Sequence, residues 1–159
     1  MEGNFCKVLI LSFGFFVMFT AFISCQNISS KVIKDLGFEN LGFLSIALIY
    51  GVFAITSLFS APINRYFGTK WTLVFSSFTY VLYIMSFLLP CYRFEKEERG
   101  EDITAFYYSN TFIKIVYLGA SCLCGIGAGP LWVSQANYLA ECATEENKGR
   151  MNGTFATIF

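Results

Sequence analysis

The sequence predicts an all-α integral membrane protein with four transmembrane helices and the start of a fifth, an incomplete piece of a larger polytopic fold. Three observations predict it. First, 55% of the 159 residues are hydrophobic and 19% aromatic, too apolar for one soluble domain of this length. Second, the 11 basic and 11 acidic residues all fall outside four long segments, Val8 to Cys25, Leu41 to Ile63, Trp71 to Leu89 and Ile115 to Tyr138. About 20 helical residues cross a bilayer's hydrocarbon core, so each segment can span. Third, none of them alternates apolar and polar residues strictly in twos, as a membrane barrel strand would, and a helix satisfies its own backbone within lipid.

Helices are therefore expected at about 8–26, 41–63, 71–89, 115–139 and from 152 onward. The first could be mistaken for a cleaved signal, because Lys7 supplies a weak basic flank. Its apolar run is longer than a signal's core and no small-residue cleavage site follows. It ends in a polar patch of Gln26, Asn27, Ser29 and Ser30, where interfacial solvation or a partner must satisfy the amides, and a short amphipathic loop with Lys31, Lys34, Asp35 and Glu39 follows. Between the second and third helices only Asn64 to Lys70 intervene, a tight hairpin that makes the two antiparallel neighbours. After Pro90 the composition changes sharply. Eight of the ten residues from Arg93 to Asp102 are charged, which predicts a water-facing connector. Tyr107 and Tyr108 mark the return to the interface, and Lys114 can snorkel from the start of the fourth helix. Beyond Tyr138 the chain is polar through Glu141, Glu145, Glu146, Lys148 and Arg150, then apolar again from Phe155 to Phe159, as a helix started and cut short.

Several function classes are disfavoured. Net charge is zero and the basic residues are scattered, so no nucleic-acid partner is expected. Histidine, the commonest general base and metal ligand, is absent, and Cys6, Cys25, Cys91, Cys122, Cys124 and Cys142 form no CxxC pair. We expect no enzyme, no cofactor and no metal site. Three of the cysteines lie within or at the ends of apolar segments and read as small packing residues, with a Cys25–Cys91 disulfide as an alternative because both sit at helix ends on one side of the membrane. No span carries Asp, Glu, Lys, Arg or His, so proton coupling through these helices is disfavoured.

The fourth helix is the most informative, reading Gly125-Ile126-Gly127-Ala128-Gly129-Pro130-Leu131-Trp132-Val133-Ser134-Gln135. At about 100° per residue, Ser121, Gly125, Ala128, Gly129, Trp132, Gln135 and Ala136 share one face. Gly125, Ala128 and Gly129 are expected to let another helix backbone come close, since packing rather than hydrophobic exclusion joins helices in lipid. Trp132 and Gln135 are the candidate cavity or partner face, an indole and an amide beside the kinkable Pro130. A phosphate-binding glycine loop is excluded, because no strand precedes these glycines. Gln135 and Asn137 lie about 200° apart and cannot share a cavity.

Met18-Phe19-Thr20-Ala21-Phe22, Ile49-Tyr50-Gly51-Val52-Phe53 and Gly127-Ala128-Gly129-Pro130-Leu131-Trp132 with Gln135, Tyr138 and Leu139 resemble the uncoordinated-93 family of ion channel regulatory proteins, within the major facilitator superfamily. The resemblance covers essentially the whole chain. It implies a twelve-helix, two-lobed fold of which this chain supplies most of the first bundle. It also implies a regulatory or trafficking partner of channels or receptors in the bilayer, with a solute transporter as the alternative. The hairpin from Ser60 to Lys70 keeps Arg65, Gly68 and Lys70 of the superfamily's G-x-x-x-D-R-x-G-R-R pattern but has no acid, so no ion-paired gate is carried over. The resemblance places the N-terminus in the cytoplasm, which the near-even spread of Lys and Arg between the two sides does not decide. On that topology the sequon Asn27-Ile28-Ser29 faces outward, making Asn27 a candidate glycosylation site, and Asn152-Gly153-Thr154 faces the cytoplasm.

Overall fold

The computed structural model describes residues 2–101 and 105–159, so Asp102 of the charge run and the side chain of Ser30 lie outside the described residues. It is an all-α bundle of helices α1 (Glu2–Ile33), α2 (Leu41–Ser57), α3 (Ser60–Phe67), α4 (Thr69–Ser86), α5 (Leu88–Glu98), α6 (Asn110–Cys142) and α7 (Lys148–Ile158). α1, α4 continued by α5, and α6 are each long and apolar enough to cross a membrane, and α2 with α3 makes a fourth when the bent pair is taken as one span.

The helices outrun the apolar segments that revealed them. α1 at 32 residues and α6 at 33 are about 48 Å long, against a hydrocarbon core of about 30 Å. Hydropathy marks only the part that meets lipid, whereas the hydrogen-bond ladder continues into the interface. Consequently the amphipathic loop expected after residue 26 is helical through Ile33, followed by a single π-type turn at Lys34–Phe38. The water-facing connector expected from Arg93 is likewise helical as far as Glu98. Its Glu, Lys and Arg residues are good helix formers, and Arg99 pairs with Glu95 one turn back. A hydrogen bond from Lys96, 2.9 Å from Glu101, holds the Glu101 carboxyl below the usual carboxylate range.

The expected second helix, 41–63, is broken, with α2 and α3 bent by 71°. At the break the Leu58 and Phe59 amides turn back to the Ile55 and Thr56 carbonyls at 3.3 and 3.0 Å, tightening the end of α2. Pro62 has no N–H to offer the Leu58 carbonyl, and it sits in the first turn of α3, where that loss is tolerated.

Between α3 and α4 stands a single residue, Gly68, at φ +78° and ψ 153°, its amide donating to the Asn64 carbonyl at 2.8 Å. That conformation is essentially reserved for glycine. Replacing Gly68 with valine is expected to cost about 1–3 kcal/mol, read as a lowered midpoint of thermal unfolding in detergent micelles.

Alternation of direction follows from contacts at the two ends. At one end Asn4 donates to the Cys142 carbonyl (3.3 Å), Thr69 to Glu141 (2.7 Å), and Arg150 lies 5.0 Å over the Phe5 ring. At the other, Arg93 bonds Asn110 and lies 5.8 Å over Phe38, and Lys96 lies 5.7 Å over Tyr108. α6 is central: half of its most apolar stretch is buried, against 28% of that of α1. Ile10, Phe13, Phe43, Ile55, Phe78 and Ile115 point outward, an apolar surface suited to lipid. α7 lies along α1, with Phe155 5.4 Å from Phe15 and Phe159 5.1 Å from Phe19.

Candidate functional site

The site is organised by the glycines of α6, which occur two residues apart and therefore face alternate sides of the helix. Gly125 and Gly129 face α2 and the break after it. A Cβ on Gly125 would stand 2.7 Å from the Ile49 carbonyl oxygen and 2.8 Å from Val52 Cβ, and one on Gly129 would stand 2.6 Å from Ser60 Oγ and 2.9 Å from Ser57 Cα. Gly127 faces α4, where a Cβ would collide with Thr79 Oγ1 and approach the Ser76 carbonyl to 3.2 Å. Only the first of these faces was read from the sequence. Glycine at i, i+2 and i+4 is the signal that could have revealed both, since a helix bare on opposite sides must be clamped on opposite sides.

Ala128 is buried and lies at the floor of a recess of about 400 Å³, walled by Phe19 and Phe22 of α1, Ile49, Tyr50 and Phe53 of α2, Tyr80 of α4 and Trp132 of α6. Trp132 is half-buried, its indole 6.0 Å from Phe15, 5.3 Å from Phe19 and 5.6 Å from Phe159. The recess therefore brings together Ala128 and Trp132. Gln135 is buried at 8% exposure but is not among the residues lining that recess. Ala136, expected on the same face, is exposed, because the buried arc of α6 ends short of it; Asn137 is exposed as well.

Buried and half-buried hydroxyls and one amide link α6 to its neighbours, and of these only Ser121 stood on the face read from the sequence. Asn64 Nδ2 donates to Ser134 Oγ at 2.7 Å, Thr56 Oγ1 to the Gly125 carbonyl at 3.0 Å, and Ser45 and Ser121 share a hydrogen bond of 2.8 Å. Ser45 also donates to Tyr83 at 3.4 Å, and Tyr83 meets Tyr117 at 3.5 Å. In hydrocarbon such groups need partners inside the protein. Asn64→Leu strands the Ser134 hydroxyl and is expected to cost about 0.6–2 kcal/mol, measurable as a shift in SDS-induced unfolding.

At the far end of α1, Tyr50 donates to Gln26 Oε1 at 3.2 Å, while Gln26 Nε2 is buried without a partner among the described residues. Asn27 is exposed within the body of α1, a helical setting rather than the surface loop in which glycosylation acceptors sit. Among the described residues Cys25 and Cys91 are free thiols. The recess can accept an aromatic or aliphatic body and offer it tyrosine hydroxyls. No cluster of His, Cys, Asp or Glu able to hold a metal occurs among the described residues.

Residues 38–94 match the family model of the ion channel regulatory protein UNC-93. The chain is 32% identical over 140 residues to protein unc-93 homolog A of Bos taurus, covering 87% of this chain and 25% of that protein. It is 30% identical over 152 residues to UNC93-like protein MFSD11 of Xenopus laevis, covering 94% of this chain and 29% of that protein. With unc-93 homolog A of Homo sapiens the identity is 29% over 168 residues, covering 100% of this chain and 31% of that protein. The chain thus spans about a quarter to three tenths of the length of the curated relatives it matches. No solved structure matches it.

Proposed function

The chain belongs to the UNC-93-like family, and from that premise we propose that it acts as a membrane-embedded regulatory partner of an ion channel, with Trp132 on the face that engages it. The observation that carries this reading is the chemistry of the recess. Its walls are Phe, Tyr, Trp and aliphatic groups from four helices, which suit the apolar side chains of a partner helix better than a hydrated ion or polar solute. Trp132 stands at its rim, half-buried, the amphipathic kind of anchor that interfaces favour. Gly125, Ala128 and Gly129 fix the depth of α6 against α2 and so the position of that indole. In this reading the N-terminus and the α3–α4 elbow face the cytoplasm.

Co-expression with a panel of potassium channel subunits, followed by co-purification in mild detergent, tests it. Trp132→Ala and Trp132→Phe are each expected to reduce the amount of channel retained while the chain itself still folds. If neither changes retention, whereas Gly129→Leu disrupts the bundle, the face serves helix packing alone and the proposal fails.

A further inference from the structure

A second recess, of about 510 Å³, lies beside α5 at the end of the bundle remote from Asn4 and Cys142. We propose that it holds the headgroup of a choline phospholipid, the quaternary ammonium against Tyr92 and Tyr107 and the phosphate on Lys96. The recess is lined by Leu88, Leu89, Tyr92 and Lys96 of α5 and by Tyr107 and Tyr108 of the short turn Phe106–Tyr108 that precedes α6. At about 100° per residue the four α5 positions fall within an arc of about 100°, so one face of the helix supplies them. Along that face the chain rises about 12 Å from Leu88 to Lys96, where α5 carries the span of α4 out of the hydrocarbon. Two leucines, then a tyrosine, then a lysine repeat the order in which a phospholipid presents acyl chain, ester and phosphate. The distance fits as well, since the headgroup layer beyond the hydrocarbon is about 5–8 Å thick on each side.

Rings and charges lining the recess select the headgroup. Lys96 is half-buried, its Nζ 2.9 Å from Glu101 and 5.7 Å over the ring of the buried Tyr108. A cation paired with an acid is complemented by a headgroup that carries both charges, better than by one that is only anionic. The ammonium of Lys96 over Tyr108 is also a cation on a tyrosine face, made within the chain. It occupies Tyr108 and leaves the other two rings open. Tyr107 packs on Tyr108 with ring centroids 4.4 Å apart and planes inclined by 56°, and Tyr92 stands one helical turn before Lys96; both are exposed. Ring faces inclined to one another attract a cation through their quadrupoles, and a methylated ammonium, which has no N–H to leave unbonded, suits them best. Ethanolamine phospholipids share the phosphate but carry three such donors, so the rings discriminate against them.

The full chain is reconstituted in vesicles of equal phosphatidylcholine and phosphatidylethanolamine with identical acyl chains, then re-extracted in mild detergent, and the lipid that co-purifies is quantified by mass spectrometry. We expect phosphatidylcholine to be enriched about fivefold over phosphatidylethanolamine. Washing with tetramethylammonium chloride should erase the enrichment while sodium chloride at the same ionic strength leaves it, a comparison that needs no variant. The double variant Y92L/Y107L should lose the enrichment as well, whereas Y92F/Y107F, which keeps both rings, should retain it. Lys96→Gln should lower the retained amount of both lipids together, because they share the phosphate. Equal retention of the two lipids by the unaltered chain overturns the proposal, as does an enrichment that survives both tetramethylammonium and Y92L/Y107L.

Discussion

Gly129→Leu is expected to be the most damaging single change at the helix interfaces, lowering stability by about 3 kcal/mol, the upper end of the usual cost of overpacking. The neighbours decide the size of the effect. An added Cβ would stand 2.9 Å from the Cα and N of Ser57 and 2.6 Å from Ser60 Oγ, and backbone atoms cannot rotate away as a side-chain tip can. They belong to the break between α2 and α3, so separating them also disturbs the bend that Pro62 permits. Gly125→Leu should follow closely, since it meets the Ile49 carbonyl at 2.7 Å. Gly127→Ala should be milder, because its first obstacle is the Thr79 hydroxyl, a group with rotational freedom. Thermal and SDS unfolding followed by circular dichroism give the order. A Gly129→Leu protein that unfolds like the unaltered chain would show that α6 does not depend on close approach to α2.

Trp132→Ala should behave differently, losing partner affinity by about tenfold or more, as buried aromatic anchors do on truncation. Part of its cost is internal, because the indole is packed on Phe15, Phe19 and Phe159. The separation from a mere packing defect lies in the comparison with Gly129→Leu. Trp132→Ala is expected to lose channel at a temperature where its bundle is still folded, whereas Gly129→Leu loses both together. Trp132→Phe, which keeps an aromatic ring in the same shell, should recover most of the stability and only part of the retention. Loss of retention strictly parallel to loss of fold in all three variants would remove Trp132 from the interface.

The class of the fold was legible in the sequence because lipid imposes a long charge-free run on any helix that crosses it. Val8 to Cys25 and Ile115 to Tyr138 carry that imprint plainly. The α2–α3 bend left a fainter trace. Hydropathy runs unbroken from Leu41 to Ile63, and only Pro62, together with the Ser57 and Ser60 hydroxyls that return to carbonyls three and four residues back, distinguishes two helices from one. The charged helix α5 was hidden for the converse reason, since polarity reports solvent and not backbone conformation. Of the candidate face, Gly125, Ala128 and Gly129 could be named from helical periodicity. The partners they meet, Ile49, Val52, Ser57 and Ser60, could not, because spacing along one helix carries no information about which neighbour lies across from it. The same limit concealed the Asn64–Ser134 bond and the Ser45–Ser121 pair, which join residues 70 and 76 positions apart.

The regulatory reading and the transport reading part most cleanly on the current of a co-expressed channel. Potassium current measured at matched surface channel density, with and without the chain, is predicted to change when the chain is present and to return to the channel-alone value with Trp132→Ala. An unchanged current across the channel panel, combined with solute or proton flux carried by the chain alone in vesicles, would contradict the account.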